Sequence, residues 1–162
     1  MTIWVSDASP LIFLAKLEHL DLLYTLADEL YVPTAVVNEI RAKPDMATQV
    51  LNDALQQHVE QMKVEDQTSV ELLRADLDLG EAEVIVLAKS LRAERVVMDD
   101  LDARRFARRV GLNPVGTLGI LLAARHQGQI TSLQDEIDRL AEHGFRVAPG
   151  LVAKVLEAAG ER

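Results

Sequence analysis

Asp7, Glu39, Glu81 and the pair Asp99/Asp100 stand just after or within segments that otherwise read as buried strands and helices. Carboxylates brought within a few ångströms of one another repel, so one or more takes up a proton unless a cation is present. Mg2+ or Mn2+ removes the conflict, because hard ions prefer oxygen ligands and keep waters that can attack phosphorus. Two such ions about 4 Å apart activate water and stabilise the leaving oxygen of a phosphodiester. The pattern points to a metal-dependent enzyme.

Each acid also has a plainer use. Asp7 alone fits an exposed turn, and Glu39 alone fits a solvated helix face. Glu81 and Glu83 could simply complement the positive end of their helix. Ser9 reads as a helix cap that can also orient Asp7 or its water. Asp99-Asp100 is the most informative pair, since apolar strands seldom end in two adjacent acids without either capping or ligation. The plain uses would all have to hold at once, which favours convergence.

The elements that must bring these residues together follow from periodicity. Ile3 to Val5 is a short apolar strand ending at Ser6 and Asp7, and Ser9-Pro10 supplies a cap and first-turn proline for the next helix. Leucines spaced from Leu11 to Leu17 and from Leu20 to Leu26 give two short helices. Leu30 to Val32 is a second strand, and Pro33-Thr34 opens a helix bearing Glu39. A helix through Val50 to Leu55, a partly exposed strand over 58–64 and a short helix over 69–74 follow. Gly80 precedes a helix over 81–91 that is apolar nearly all round and so must be largely buried. Val96 to Met98 is a central strand ending in Asp99-Asp100. Helix, short strand and helix then occupy 103–110, 113–116 and 117–125, with amphipathic helices over 132–142 and 149–158. Such alternation predicts an α/β fold, a parallel sheet with helices on both faces, whose ligands bind beyond the carboxyl ends of the strands.

Composition narrows the classes. The chain of 162 residues fits a single domain, 1–162, with C-terminal helices over about 132–158. Without cysteine it has no disulfide, zinc-thiolate site or thiol nucleophile. His19, His58, His126 and His143 lack ligand spacing and are assigned surface or structural roles. No apolar run is long enough to cross a bilayer and no leader pattern is present, so a cytoplasmic protein with no membrane partner is expected. The formal net charge of −9 means that contact with a polyanion must be local. Arg104, Arg105, Arg108 and Arg109 form such a local stripe close after Asp100, suited either to phosphates beside the cut or to a solvated helix face. Aromatic residues are only 4% of the chain, which disfavours extensive base stacking. Leu133, Ile137, Leu140 and Ala141, with Leu151, Val155 and Ala159, form apolar stripes expected to pack in the core, with docking of a second copy or a partner as the other use.

Five stretches in order, VSDASPLIFLAKL (5–17), VPTAVVNEI (32–40), LGEAEVIVLAKSL (79–91), VVMDDLDARRFARRVGL (96–112) and PVGTLGILLAA (114–124), resemble the PIN domain nucleases, and among them the DUF3368 group of prokaryotic proteins. The resemblance implies a PIN-like three-layer fold, a Mg2+ or Mn2+ site and single-stranded RNA as substrate. It places Asp7, Glu39, Glu81 and Asp100 as catalytic metal ligands, with Asp99 as the alternate. Glu81 departs from the usual aspartate by one methylene, and Asp99 stands where many relatives carry a neutral or basic residue. Ser9, Arg104, Arg105 and Arg108 are then the substrate-binding candidates. The family also looks like the toxin half of type II toxin-antitoxin operons, which implies a small antitoxin partner.

A Mg2+-dependent endoribonuclease is thus expected. The alternatives are a catalytically silent PIN-like module that binds RNA or a protein, and a phosphatase with Asp7 as nucleophile. The last is disfavoured because Ala8-Ser9 follows Asp7 in place of a DxD pattern and no lysine stands near the expected later strand end.

Overall fold

The computed structural model describes residues 1–162. At its centre lies β1 (Ile3–Ser6), with Val5 wholly shielded from solvent. It pairs in parallel with β2 (Glu29–Pro33) on one side and β4 (Arg95–Val97) on the other, in register Val5 to Tyr31 and Ser6 to Val97. A strand covered on both faces has no reason to alternate, which is why these runs read as continuously apolar. β3 (Val59–Met62) and β5 (Pro114–Val115) form the edges, so the order is β3-β2-β1-β4-β5, with every neighbour parallel. The two middle residues of β3 are exposed, as its polar and apolar alternation predicts for an edge.

Parallel neighbours need crossovers, and helices supply them. α1 (Ala8–Lys16) and α2 (Asp21–Leu26) join β1 to β2, and α3 (Thr34–Ala42) and α4 (Met46–Gln57) join β2 to β3. α5 (Gln67–Leu73) and α6 (Leu79–Leu91) then carry the chain back across the sheet to β4, and α7 (Leu101–Arg109) leads to β5. α8 (Thr117–His126), α9 (Leu133–Glu142) and α10 (Pro149–Ala158) complete the chain. The result is the expected α/β, three-layer arrangement with helices flanking a parallel sheet. A single cluster of 44 buried residues runs through it. No helix is long and apolar enough to cross a membrane.

The strand order decides where a ligand can sit. The chain moves outward from β1 to β2 to β3, then returns to β4 on the other side of β1 and moves outward again. Connections leaving β1 and β4 therefore diverge and open a crevice at their carboxyl ends. Asp7 follows β1 directly, and Asp99-Asp100 lie just beyond β4.

Several helix starts differ from the sequence expectation, two of them at the crevice, while α5 and α7 each begin two residues early at Gln67 and Leu101. α1 begins at Ala8, with Asp7 as its cap: extended backbone at Asp7 lets Oδ1 accept from the Ala8 amide at 2.9 Å. Pro10 is then the third helical residue, and Ser9 is released from capping. α6 likewise begins at Leu79, ahead of Gly80, because Asp78 and Glu81 form a reciprocal capping box around its first turn.

The apolar stripes of the last two helices are used mainly for packing. Leu133, Ile137, Leu140, Leu156 and Ala159 are buried, whereas Ala141 and Leu151 face solvent. α9 is held at both ends. Arg139 donates to the Leu17 carbonyl at 3.0 Å, tying α9 to the end of α1. At its start the Glu161 carboxylate accepts from the Leu133 and Gln134 amides at 2.7 and 3.1 Å and pairs with Arg125 Nε at 3.0 Å. Glu161→Ala should therefore lower the unfolding free energy by about 1 kcal/mol, as loss of a helix cap does. Urea denaturation measures it, and an unchanged midpoint would mean that water satisfies the two amides equally well.

Candidate active site

The crevice at the strand ends is a pocket of about 410 Å³. Six acids line it: Asp7, Glu39, Asp78, Glu81, Asp99 and Asp100. The structure thus brings together all five acids singled out in the sequence, and adds Asp78.

Asp7 is the deepest of them, 9% exposed. Its amide donates to the Val97 carbonyl at 2.8 Å, which fixes it between β1 and β4. Burial, and after it the charges of Glu39, Asp78 and Glu81, push its carboxyl from 3.8 up to about 7, against the lowering effect of the Ala8 amide. Glu39 is raised by burial and by Asp78, with Lys43 opposing. Glu81 is raised by burial and by Asp78, Asp100 and Glu39, although its bond from the Asp78 amide works the other way.

Backbone packing makes this crowding possible. α6 crosses beneath the acids at Gly80, where a Cβ would collide with the Glu39 carboxylate and come within 3.4 Å of Asp7 Oδ1. The two carboxylates thus reach over the same glycine. Glu39 is held from below as well: buried Glu83 on α6 accepts from the Ala35 amide at 3.0 Å and caps α3, whose own cap position is Pro33 and offers no side-chain acceptor.

The adjacent pair divides its labour. Asp99 Oδ1 accepts from the Thr117 amide at 2.7 Å and Oδ2 from the Thr117 hydroxyl at 2.8 Å, so its carboxylate is committed to the start of α8. Burial still raises it, opposed by those two bonds, by Arg104 and by the neighbouring Ser9 hydroxyl. Asp100 is exposed, lines the pocket and caps α7 through Oδ2, which accepts from the Ala103 amide at 2.9 Å, leaving Oδ1 with no protein donor. Capping and pocket-lining prove compatible on one residue.

The arginine stripe reaches the edge of the pocket only at Arg104. Arg104 is half-buried beside Gly116 and Asp99, Arg105 pairs with Asp102 at 3.4 Å, Arg109 sits 5.8 Å over the Phe106 ring, and Arg108 faces solvent. None lines the pocket. Its one basic lining residue is Arg146, which arrives with Gly144 and Phe145 on the loop between α9 and α10, where Phe145 meets Phe13 of α1. Sequence reasoning missed these and Asp78. The D-x-x-E spacing of Asp78 and Glu81 is a capping-box signature that would have found the acid. The loop carries no local signal, because the seating of α9 on α8 and the end of α1, together with the Phe13–Phe145 contact, brings it there.

An all-oxygen donor set, with uncompensated negative charge and carboxyls pushed upward by one another, fits a hard divalent cation by its chemistry. No group of three or more side chains is yet gathered as a ligand sphere. Glu39 and Glu81 have the longest side chains and the most freedom to close in. A second hollow of about 490 Å³ lies between α5, α6 and α7, walled mostly by apolar side chains such as Leu73, Ile85 and Phe106, and holds no comparable acids.

A parallel sheet ordered 3-2-1-4-5 with an acidic crevice at its switch point defines a PIN-type domain, a nuclease type of fold. A family model described as DUF3368: PIN domain matches residues 3–161, and the chain belongs to that family. A search of curated proteins gives no match.

Two outcomes follow. Asp7 binds a proton more tightly folded than unfolded, so without a cation stability should fall as pH rises from about 4 to about 7, by on the order of 3 kcal/mol from this group. Thermal melts in chelator across that range should show the decline, and Asp7→Asn should flatten it; an equal slope in both proteins would contradict the assignment. Gly80→Ala should leave metal-free stability within about 1 kcal/mol, since alanine favours the helix while Glu39 swings aside. The same variant should lose most of any thermal shift caused by millimolar Mn2+, which differential scanning fluorimetry reads directly.

Proposed function

We propose that this chain is an endoribonuclease dependent on Mg2+ or Mn2+, and the toxin component of a type II toxin-antitoxin pair. The observation that carries the reading is the meeting of acids from four separate segments at the divergence of β1 and β4, over a glycine that leaves room for them. Nothing in core packing calls for that arrangement, whereas hydrolysis of a phosphodiester does.

Asp7, Glu39 and Asp100 would hold the cation, with Asp78 and Glu81 at the wall toward α6. A bound divalent ion supplies a water of lowered pKa and neutralises phosphate charge. Asp7 supplies the fixed point, because β1, β4 and the first amide of α1 all restrain it. Asp99 and Ser9 orient one another and keep the start of α8 against the crevice, a positioning role. Asp78 holds the first turn of α6, and through it the carboxylate of Glu81, beside Asp7. The excess of negative charge also explains how a small antitoxin would silence the site, by placing a cationic side chain where the metal belongs.

Purified protein should cleave single-stranded RNA with Mg2+ or Mn2+ and not in chelator. Asp7→Asn and Asp100→Asn should each reduce cleavage by at least about a hundredfold while staying folded, since asparagine also caps helices well; without a cation near pH 7, Asp7→Asn should melt above the parent because it removes the buried charge. Undiminished cleavage in both variants would sink the assignment. One observation favours a second reading, a catalytically silent RNA- or protein-binding module: Glu81 is engaged with the Asp78 amide, and no ligand sphere is preformed. RNA binding with no metal-dependent cleavage would select it.

A further inference from the structure

The acidic pocket does not end at its own rim. An adjoining groove of about 400 Å³ shares Ser9, Phe13 and Glu39 with it and continues along α1 to Lys16 and Lys43. The two together form one trough, with the carboxylates in the middle, Arg146 toward one end and Lys43 toward the other. Its cations differ in availability. Lys16 is paired with Asp45 at 3.4 Å, whereas Arg146 and Lys43 are exposed and have no ion-pair partner.

The bend of the trough is aromatic. Phe13 and Phe145 meet edge to face with centroids 4.9 Å apart, both half-buried, on a protein with only three phenylalanines. The pair ties the loop that carries Arg146 to the helix that follows Asp7. Gly144, at a φ of 90°, makes the left-handed turn that aims the loop, and the Phe145 amide anchors it to the Leu140 carbonyl at 3.0 Å. Arg146 therefore stands on a braced turn.

We propose that this trough is the binding track for a single-stranded RNA, with Arg146 and Lys43 holding phosphates on opposite sides of the cut and the Phe13–Phe145 pair supporting a base between them. The inference rests on the nuclease reading and gives it a strand path. A polyanion approaching a protein of net charge −9 needs cations next to the acids, and these are the two unpaired ones that the trough provides. The α7 arginines, which the sequence puts forward for this task, lie outside it.

The test separates binding from cleavage. Affinity for a short labelled single-stranded RNA is measured by fluorescence anisotropy in the Asp7→Asn background with Ca2+ or no metal, over a range of salt. Arg146→Gln and Lys43→Gln should each weaken binding by about fivefold or more and reduce the slope of log affinity against log salt by about 0.7. Phe145→Leu should weaken it by about fivefold with no change of slope. Arg105→Gln and Arg108→Gln should match the background. Thermal melts identify any variant that has lost its fold; for Phe145, Phe145→Tyr should then retain the affinity. If the α7 variants weaken binding and the Arg146 and Lys43 variants do not, the track is wrong, and RNA cleavage by the parent leaves the nuclease reading standing. If the parent cleaves nothing and the background binds nothing, the nuclease reading falls and takes the track with it.

Discussion

Everything at the crevice depends on how closely the first turn of α6 passes beneath Asp7 and Glu39. That approach is set by Gly80, whose missing Cβ leaves the space that the Glu39 carboxylate occupies. Were the helix farther away, Asp78 and Glu81 would leave the pocket, and Asp7 would lose two of the three charges that raise its carboxyl. A packing distance between two backbones thus becomes an electrostatic property. The reversal of strand order beside β1 opens the crevice, but the glycine decides how much charge is concentrated there.

The acids in and around the crevice divide by whether the backbone satisfies them. Glu83 and Asp99 spend their oxygens on the first amides of α3 and α8, helices whose own cap positions, Pro33 and Gly116, have no side-chain acceptor. Each is a cross-chain cap, so the acid lends its charge to a helix start instead of to a ligand. Asp7, Asp78, Glu81 and Asp100 each accept one backbone amide and keep further lone pairs, and Glu39 has no backbone donor at all. The carboxylates with spare capacity all line the pocket, and Asp99 lines it with both oxygens already engaged.

That division marks what a sequence can show. Strand and helix periods placed nearly every element, since Val5 or Leu14 buried in a parallel layer leaves an apolar pattern that local reading detects. The acids at element ends were legible for the same reason, because a charge interrupts such a pattern. Their partners were not. Nothing near Asp99 in the chain reveals that Thr117 takes both its oxygens, and nothing near Arg146 reveals that it lines the same pocket as Asp7. Both depend on contacts between distant segments, fixed by the return of the chain across the sheet and by the seating of α9. The arginines of α7 divide: closeness in sequence to Asp100 suggests closeness in space, and Arg104 does lie beside Asp99, whereas Arg105, Arg109 and Arg108 turn toward Asp102, Phe106 and solvent.

The loop between α9 and α10 differs in kind from the rest of the pocket. The acids are mounted on elements whose displacement would disturb the sheet or its crossovers, whereas Gly144, Phe145 and Arg146 meet the pocket chiefly through one aromatic contact. Surface loops tolerate substitution and changes of length far better than strands do. One half of this crevice is therefore free to drift while the other is not. On the nuclease reading proposed above, substitutions in this single turn change which strand the crevice accepts and leave the acids untouched.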